Sequence, residues 1–571
     1  MSYKVLGISF GGHDTAACIT IDGKLVGAIA QERLDLQKHS RNFPSEAIND
    51  CLRSAQINID DIDEIALTLC TNYYIKETYL KPAINDPARI DFLINDIERV
   101  KSARAKIDLV REKTSFKGPI NEYLHHLCHV ASAYYPSGFN ETLIVSFDGM
   151  GEIETSMLAG GKNGKIKVLH KDNKYPNSLG LIYSAITHYL GWQHHCDEGI
   201  IMGLAPYGRS SQTIPGLRST YLDVFRDIIQ MDGDYNFLIN LDWISYHLQR
   251  NTWISDKFIE TFGPKRAPGG EITNHHKNIA AGLQDRLEEV VITQLKRARE
   301  DFQFTKLCIA GGVGLNCSLN GKIESSKIFD EIFVQPASGD DGTAYGACLL
   351  ASQTKLKELK PCKMYNFYRG YSFSEEEILQ AIKNSGVTFK RPTNIFKDTA
   401  ELLMEGKIVG WYQGGSEFGP RSLGNRSILA RPFPAEMKDH INNRVKFREY
   451  FRPFAPAVLN EKAKEYFHIS QESPHMLIAC QANPDKAHEI PAVVHVDGSC
   501  RVQTVTDITN SRFYKLLNEF YCLSNIPVLL NTSFNVKGQP VVNTPEQAIA
   551  TFKTTNIDCL VIGDFIAIKQ S

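Results

Sequence analysis

Residues 121–152 read NEYLHHLCHVASAYYPSGFNETLIVSFDGMGE, and two patterns meet there. The first half has helical character and places His125 and His129 four residues apart, so both imidazoles leave the same helix face. The second half, Leu143 to Phe147, is an apolar β-prone run that stops abruptly at Asp148-Gly149. A carboxylate at the end of a buried strand lies in the crevice where α/β sheets bind ligands. Two neutral imidazoles and a carboxylate suit a divalent metal such as iron or zinc. The same residues also fit a pair of core histidines followed by a plain Asp-Gly turn, so a further ligand from elsewhere decides between the readings.

Downstream, Lys306 to Ala310 reads as a strand, and Gly311-Gly312-Val313-Gly314-Leu315-Asn316 turns from it into a helix. Glu331 to Gln335 reads as the next strand, and PASGDDGTAYG at 336–346 leads into another helix. Glycines between a strand and a helix start bring amide hydrogens to a phosphate or nucleotide, which makes Gly311, Gly312 and Asn316 candidate contacts. Asp340 or Asp341 supplies the missing carboxylate, and the other reads as a helix N-cap.

Upstream, Lys4 to Phe10 and Leu25 to Glu32 read as strands flanking the turn Asp22-Gly23, with Gly11-Gly12-His13-Asp14 after the first. Gly11 and Gly12 allow close approach of an anion to the backbone. Pro44 to Ile57 has helical spacing, Glu64 to Cys70 returns as a strand, and the charged stretch Asp86 to Lys113 reads as a helical lid or insertion. Glu154 to Lys171 reads as a hairpin, and a helix opens at Ser178. EGIIMGLAPYG at 198–208 reads as a buried loop, Leu217 to Pro268 as variable helices near a substrate pocket, and Asn274 to Phe302 as a long amphipathic helix.

A Lys-rich connector, Lys355 to Lys363, precedes a second α/β region. That region carries Arg421, Arg426, Lys446, Arg448, Arg452 and Arg501, and GPRSLGNRS at 419–427 and LNTSFN at 530–535 read as anion-holding loops. Arg forks and hydroxyls suit phosphate oxygens.

At 571 residues the chain exceeds one ordinary core, so two domains are expected, 1–356 and 366–571. A net charge of −2 argues against a general nucleic-acid binder. Apolar runs fall short of a membrane span, the start MSYKVLGISFGGHD has no signal-peptide character, and thirteen cysteines without a CxxC pair suit reduced thiols, which together predict a cytoplasmic protein.

Taken in order, GGHDTAA, HHLCHVASAYYPSG, SFDGMGE, IMGLAPYG, AGGVGLNCSLNG, GDDGTAYGA, GPRSLGNRSIL, KFREYFRPFAP and LNTSFN resemble the O-carbamoyltransferase family of nodulation and antibiotic-tailoring enzymes. The resemblance implies an α/β architecture: an actin/hexokinase-like (ASKHA) ATPase fold similar to the tRNA threonylcarbamoyl-transfer protein, then a smaller YrdC-like domain. It implies iron, as Fe(II), or another divalent metal on His125, His129, Asp148 and Asp340. It also implies ATP, carbamoyl phosphate and Mg2+, with the carbamoyl-phosphate and ATP contacts falling on Arg421, Lys446, Arg452, Arg501 and Ser533, and Asn531 adjacent. The implied reaction forms carbamoyl adenylate in the second domain and transfers its carbamoyl group to a hydroxyl-bearing small molecule of natural-product type. His13 or Asp14 would accept the hydroxyl proton. A homodimer is compatible with this reading. Ile200 stands where the family usually has Lys. The alternatives are a tRNA-modifying relative and a small-molecule kinase of the same superfamily.

Overall fold

Short runs of β-branched and aliphatic residues, each closed by Gly, Pro or a helix cap, divide this chain into alternating strands and helices. The computed structural model describes residues 2–249 and 251–569. Two units emerge: one comprises Met1–Asp14, Thr20–Lys24 and Asn58–Lys363, the other Thr15–Ile19, Leu25–Ile57 and Met364–Ser571. Both are mixed α/β.

In the first unit, Lys4–Ser9, Glu64–Leu67 and Ile120–Glu122 run parallel side by side. A separate five-stranded sheet has the order Glu331–Val334, Lys306–Ala310, Glu141–Phe147, Ser156–Lys162 and Lys165–His170. Its first three strands are parallel and its last two add as antiparallel hairpins. Parallel strands covered on both faces read as continuous apolar runs, and Leu143, Ile144, Val145, Leu307, Cys308 and Ile309 are all buried.

The helices His125–Ser137 and Asp340–Lys355 pack closely, because Gly346 offers no side chain to the carbonyl of Cys128. A Cβ at Gly346 would overlap that oxygen. This contact sets the start of one helix against the histidine face of the other.

The second unit is built on a nine-stranded sheet, ordered Phe389–Lys390, Phe565–Ile568, Cys559–Ile562, Val409–Tyr412, Arg426–Ala430, Val528–Ser533, Ala455–Leu459, Ser499–Val505 and Ile478–Gln481. The helices Ile395–Met404 and Asp507–Ser524 cover it through a core that includes Trp411, Leu429, Phe513, Leu517 and Phe520.

Several expectations are corrected. Residues 198–208 are a helix, Glu198–Leu204, followed by a 3-10 turn, Ala205–Tyr207, and not a loop. Burial of Ile200, Ile201, Met202 and Leu204 outweighs the low helix propensity of its glycines. The strand Ala16–Ile21 went unforeseen because its Ala-Ala-Cys start has weak β propensity; it and Lys24–Ala30 flank Asp22-Gly23. Leu217 to Pro268 holds an antiparallel pair, Ile229–Asp232 with Asn236–Ile239, between its helices. Neither Asp340 nor Asp341 is an N-cap: Gly339 takes that place, and both aspartates lie in the first turn. No described helix is long and apolar enough to cross a membrane.

Candidate functional site

His125 and His129 occupy the first two turns of the helix His125–Ser137, and their Nε2 atoms face one another at 3.1 Å. Asp148 ends the strand Glu141–Phe147, and Asp340 opens the helix Asp340–Lys355. From His125 Nε2 the distances are 3.4 Å to Asp148 Oδ2 and 3.5 Å to Asp340 Oδ1; from His129 Nε2 both are 3.8 Å. One ligand atom from each of the four lies within 4.8 Å of the others.

The electrostatics fit a cation. Burial pushes both imidazoles toward neutrality, but the carboxylates of Asp340 and Asp148 outweigh it and raise the His125 and His129 pKa values. Burial likewise favours a neutral Asp148, yet the two histidines hold its pKa well below the ordinary carboxylate value. Without a metal, protons on the imidazoles must balance two buried carboxylates. A divalent ion held by these four residues would do this instead, and the N/O donor set without thiolate suits a first-row metal. His129, fully buried, leaves its Nδ1 without a hydrogen-bond partner, so Nε2 is its one functional atom.

The support around the cluster is specific. Glu152 accepts the main-chain N–H of His125 on both carboxylate oxygens, at 3.1 and 3.2 Å, and the N–H of Cys70 at 2.8 Å. His125 Nδ1 lies 3.3 Å from the carbonyl of Thr68, the kind of contact that orients a ligating imidazole. Gly312 donates its N–H to Asp148 Oδ1 at 2.8 Å, leaving Oδ2 to face the histidines. Gly311 has φ +85, and a Cβ there would overlap the carbonyl of Phe147. His126, between the two candidates, is structural: its ring nitrogens contact Ser146 Oγ and the carbonyl of Glu154, each at 2.9 Å, and burial pushes its pKa down to about 3.

Of the other sequence candidates here, Gly312 is thus engaged with Asp148, while Asn316 caps the helix Cys317–Ser325 and bonds Gln284. Gly12 approaches the cluster closely, since a Cβ on it would lie 3.4 Å from Asp340 Oδ2. His13 Nδ1 sits 3.1 Å from Asp14 Oδ2. From His13 a series of rings continues through His195 at 5.4 Å, Trp253 at a further 5.2 Å and Tyr246 at 5.9 Å. Phe237, Trp243 and Tyr246 are buried, whereas Tyr235, His247 and Trp253 are partly exposed.

The second unit gathers positive charge. Lys446 is buried and donates from Nζ to Ser533 Oγ at 3.1 Å, Asn535 Oδ1 at 2.8 Å and two main-chain carbonyls, those of Ser533 and Asn535. Its pKa is depressed by burial first and then by the charges of Arg448 and Arg452. Arg448 is depressed by burial, Arg452 and Arg501, and it lies 4.1 Å over the Phe454 ring. Arg452 lies 3.6 Å from Glu449. Such mutual repulsion suits an anion receptor. Asn531 donates from Nδ2 to the carbonyl of Ser422 at 3.1 Å and to Gln503 at 2.8 Å, and its buried Oδ1 has no hydrogen-bond partner. Arg426, which opens the strand Arg426–Ala430, is structural, with its guanidinium on four main-chain carbonyls and over the Tyr412 ring. Sequence reasoning missed Glu152, whose role depends on tertiary placement.

Residues 4–349 match the family described as Carbamoyltransferase N-terminus, and residues 400–569 match Carbamoyltransferase C-terminus. The uncharacterized protein sll1178 of Synechocystis is 36% identical over 99% of this chain and 97% of its own length. Nodulation protein NolNO of Sinorhizobium fredii is 36% identical over 98% of this chain and 79% of its own. Among solved structures, component A of (R)-2-hydroxyglutaryl-CoA dehydratase from Acidaminococcus fermentans is 14% identical, covering 62% of this chain and 99% of that one, at a TM-score of 0.33, too slight a likeness to assign a fold. Through both of its matched segments the chain belongs to the carbamoyltransferase family.

Proposed function

We propose that this carbamoyltransferase is an ATP-dependent O-carbamoyltransferase with two sites, divided as residues 1–356 and 366–571. The first domain would be of the ASKHA type and the second YrdC-like. In the second, carbamoyl phosphate, ATP and water give carbamoyl adenylate, pyrophosphate and phosphate, with Mg2+ accompanying the nucleotide. In the first, the carbamoyl group moves to a hydroxyl of a small acceptor of natural-product type, and AMP is released. The observation that carries this reading is the cationic group Lys446, Arg448, Arg452 and Arg501, in a chain that also holds the His/Asp cluster.

The cations would neutralise the phosphates of both substrates, which otherwise repel each other. Lys446 is already held by Ser533 and Asn535, so its Nζ is positioned before substrate arrives. Arg421 is proposed to take a further phosphate oxygen.

In the transfer site, His125, His129, Asp148 and Asp340 would hold the divalent ion, Fe(II) by preference, which supplies polarisation of the carbamoyl carbonyl when bound. His13 would take the proton of the acceptor hydroxyl, with Asp14 orienting its ring from 3.1 Å. The backbone of Gly11 and Gly12 would approach the donor. The partly exposed rings of Tyr235 and Trp253, in the segment Leu217 to Pro268, suit stacking on a sugar or aromatic acceptor.

Two variants test the division of labour. Lys446→Ala should stop pyrophosphate release, whereas His129→Ala should leave it intact and stop carbamoylation of the acceptor. Loss of pyrophosphate release in both would defeat the two-site scheme.

A further inference from the structure

Lys106 is the first residue of the helix Lys106–Thr114, in the charged insertion that precedes the histidine helix. Its side chain turns inward, with 6% of the residue exposed. The ammonium lies 4.6 Å from the centroid of the Phe10 ring, and among the described residues it forms no salt bridge. A buried ammonium without an ion-pair partner costs stability unless something compensates it.

What surrounds Lys106 indicates the compensation. A Cβ on Gly11 would lie 4.0 Å from Lys106 Nζ, and a Cβ on Gly12 would lie 3.4 Å from Asp340 Oδ2. The Gly11-Gly12 turn therefore runs between the ammonium and a carboxylate of the metal cluster. Gly11 has φ +82, and both glycines are exposed, so the turn is open to solvent on its outer side. Neither glycine carries a side chain that would keep an incoming group from Lys106.

Burial pushes the Lys106 pKa down to about 8, against the opposing pull of Glu122, Glu152 and Asp340. Near neutral pH the group is still largely a cation. Those three carboxylates keep it charged without contacting it.

We propose that Lys106 is the phosphate receptor of the transfer site, receiving the leaving phosphate of the activated carbamoyl donor over the Gly11-Gly12 turn. The inference rests on the transfer reaction proposed above. The acceptor oxygen forms a bond to the carbamoyl carbon, and the bond from that carbon to the phosphate oxygen breaks. The hydroxyl proton passes to the base at His13, and the electron pair leaves on the phosphate oxygen, where the ammonium of Lys106 meets it. A charge-assisted contact of this kind is strongest once the leaving group is fully charged, so it favours transfer over simple binding. The same chemistry serves a nucleoside monophosphate or free phosphate.

The test uses the full chain loaded with Co(II), whose visible bands report on the His/Asp cluster. AMP and inorganic phosphate are titrated separately into wild type, Lys106→Met and Lys106→Arg. The expected result is a band shift in wild type and Lys106→Arg, with apparent affinity about 10- to 100-fold weaker in Lys106→Met. A tighter response to AMP assigns the adenylate as the source of the phosphate, and a tighter response to phosphate assigns carbamoyl phosphate. Lys106→Met should also melt no lower than wild type, because a buried unpaired charge has been removed. An unchanged anion affinity in Lys106→Met that still shows the Co(II) bands overturns the inference while leaving the metal centre standing. Absence of Co(II) bands in wild type overturns the inference together with the metal centre it rests on.

Discussion

The carboxylate of Glu152 receives the main-chain N–H of His125 on both oxygens, at 3.1 and 3.2 Å. It thereby holds the first turn of the helix that carries both candidate imidazole ligands. Burial raises the Glu152 pKa, while His125 and the amides it accepts pull the other way.

Removing this anchor should loosen the metal site before it unfolds the protein. Glu152→Ala leaves buried amide donors unsatisfied, at a cost of about 1–3 kcal/mol. Metal affinity should fall about 10- to 100-fold, as for other residues that orient ligands. Glu152→Gln keeps one acceptor oxygen and should lie between Ala and wild type. Metal titration followed by melting temperature checks both. Wild-type metal affinity in Glu152→Ala would remove Glu152 from the site.

Gly346 should be intolerant of any side chain. A methyl group there overlaps the carbonyl of Cys128, so Gly346→Ala forces the two helices apart at a cost of about 1–3 kcal/mol. The displacement should also draw Asp340 away from the histidines. Thermal unfolding and metal content should fall together. A stable Gly346→Ala protein with full metal content would show that the close helix contact does not set the cluster.

Anion binding at the second site should take up protons. In the free protein the Lys446 pKa is depressed by burial, Arg448 and Arg452. The folded state therefore disfavours protonated Lys446, and this group adds stability as pH rises from its depressed pKa toward the ordinary lysine value of about 10.4. A bound phosphate reverses the balance by favouring the ammonium, so affinity should fall as pH rises through the depressed value. Calorimetry in two buffers of different ionisation enthalpy measures the coupling. Net proton release on phosphate binding anywhere in that window would contradict it.

Much of this site was legible because its signals are local. The i, i+4 histidines and a strand ending in Asp-Gly are short-range patterns, and they brought His125, His129 and Asp148 into one reading. Asp340 needed the inference that two strand ends share a crevice, and the sequence left it unresolved against Asp341. Helix phase resolves the two: Asp340 faces the imidazoles, whereas Asp341 Oδ1 accepts the amide of Gly342. Glu152 was illegible, because it holds residues distant in sequence, Cys70 and His125. Arg426 carried the composition of a phosphate ligand, but burial on four main-chain carbonyls makes it structural. The helix at 198–204 was missed because packing overrode its glycines.

Acceptor choice should reside in Leu217 to Pro268, apart from the residues proposed for donor and metal. The rings His13, His195 and Trp253 lead from the Gly11–Asp14 turn into that segment. Exchanging it for the matching segment of a relative with a different acceptor should change acceptor preference and leave pyrophosphate release within about twofold. A folded, active chimera with unchanged preference would place the determinant elsewhere.

Both proposed sites depend on one reaction, the cleavage of ATP to activate a carbamoyl group. Its most direct test is pyrophosphate release by the purified full chain with ATP and Mg2+, in the presence and absence of carbamoyl phosphate and with no acceptor added. Release should depend on carbamoyl phosphate and be lost in Lys446→Ala. ADP in place of pyrophosphate, or pyrophosphate release indifferent to carbamoyl phosphate, would contradict it.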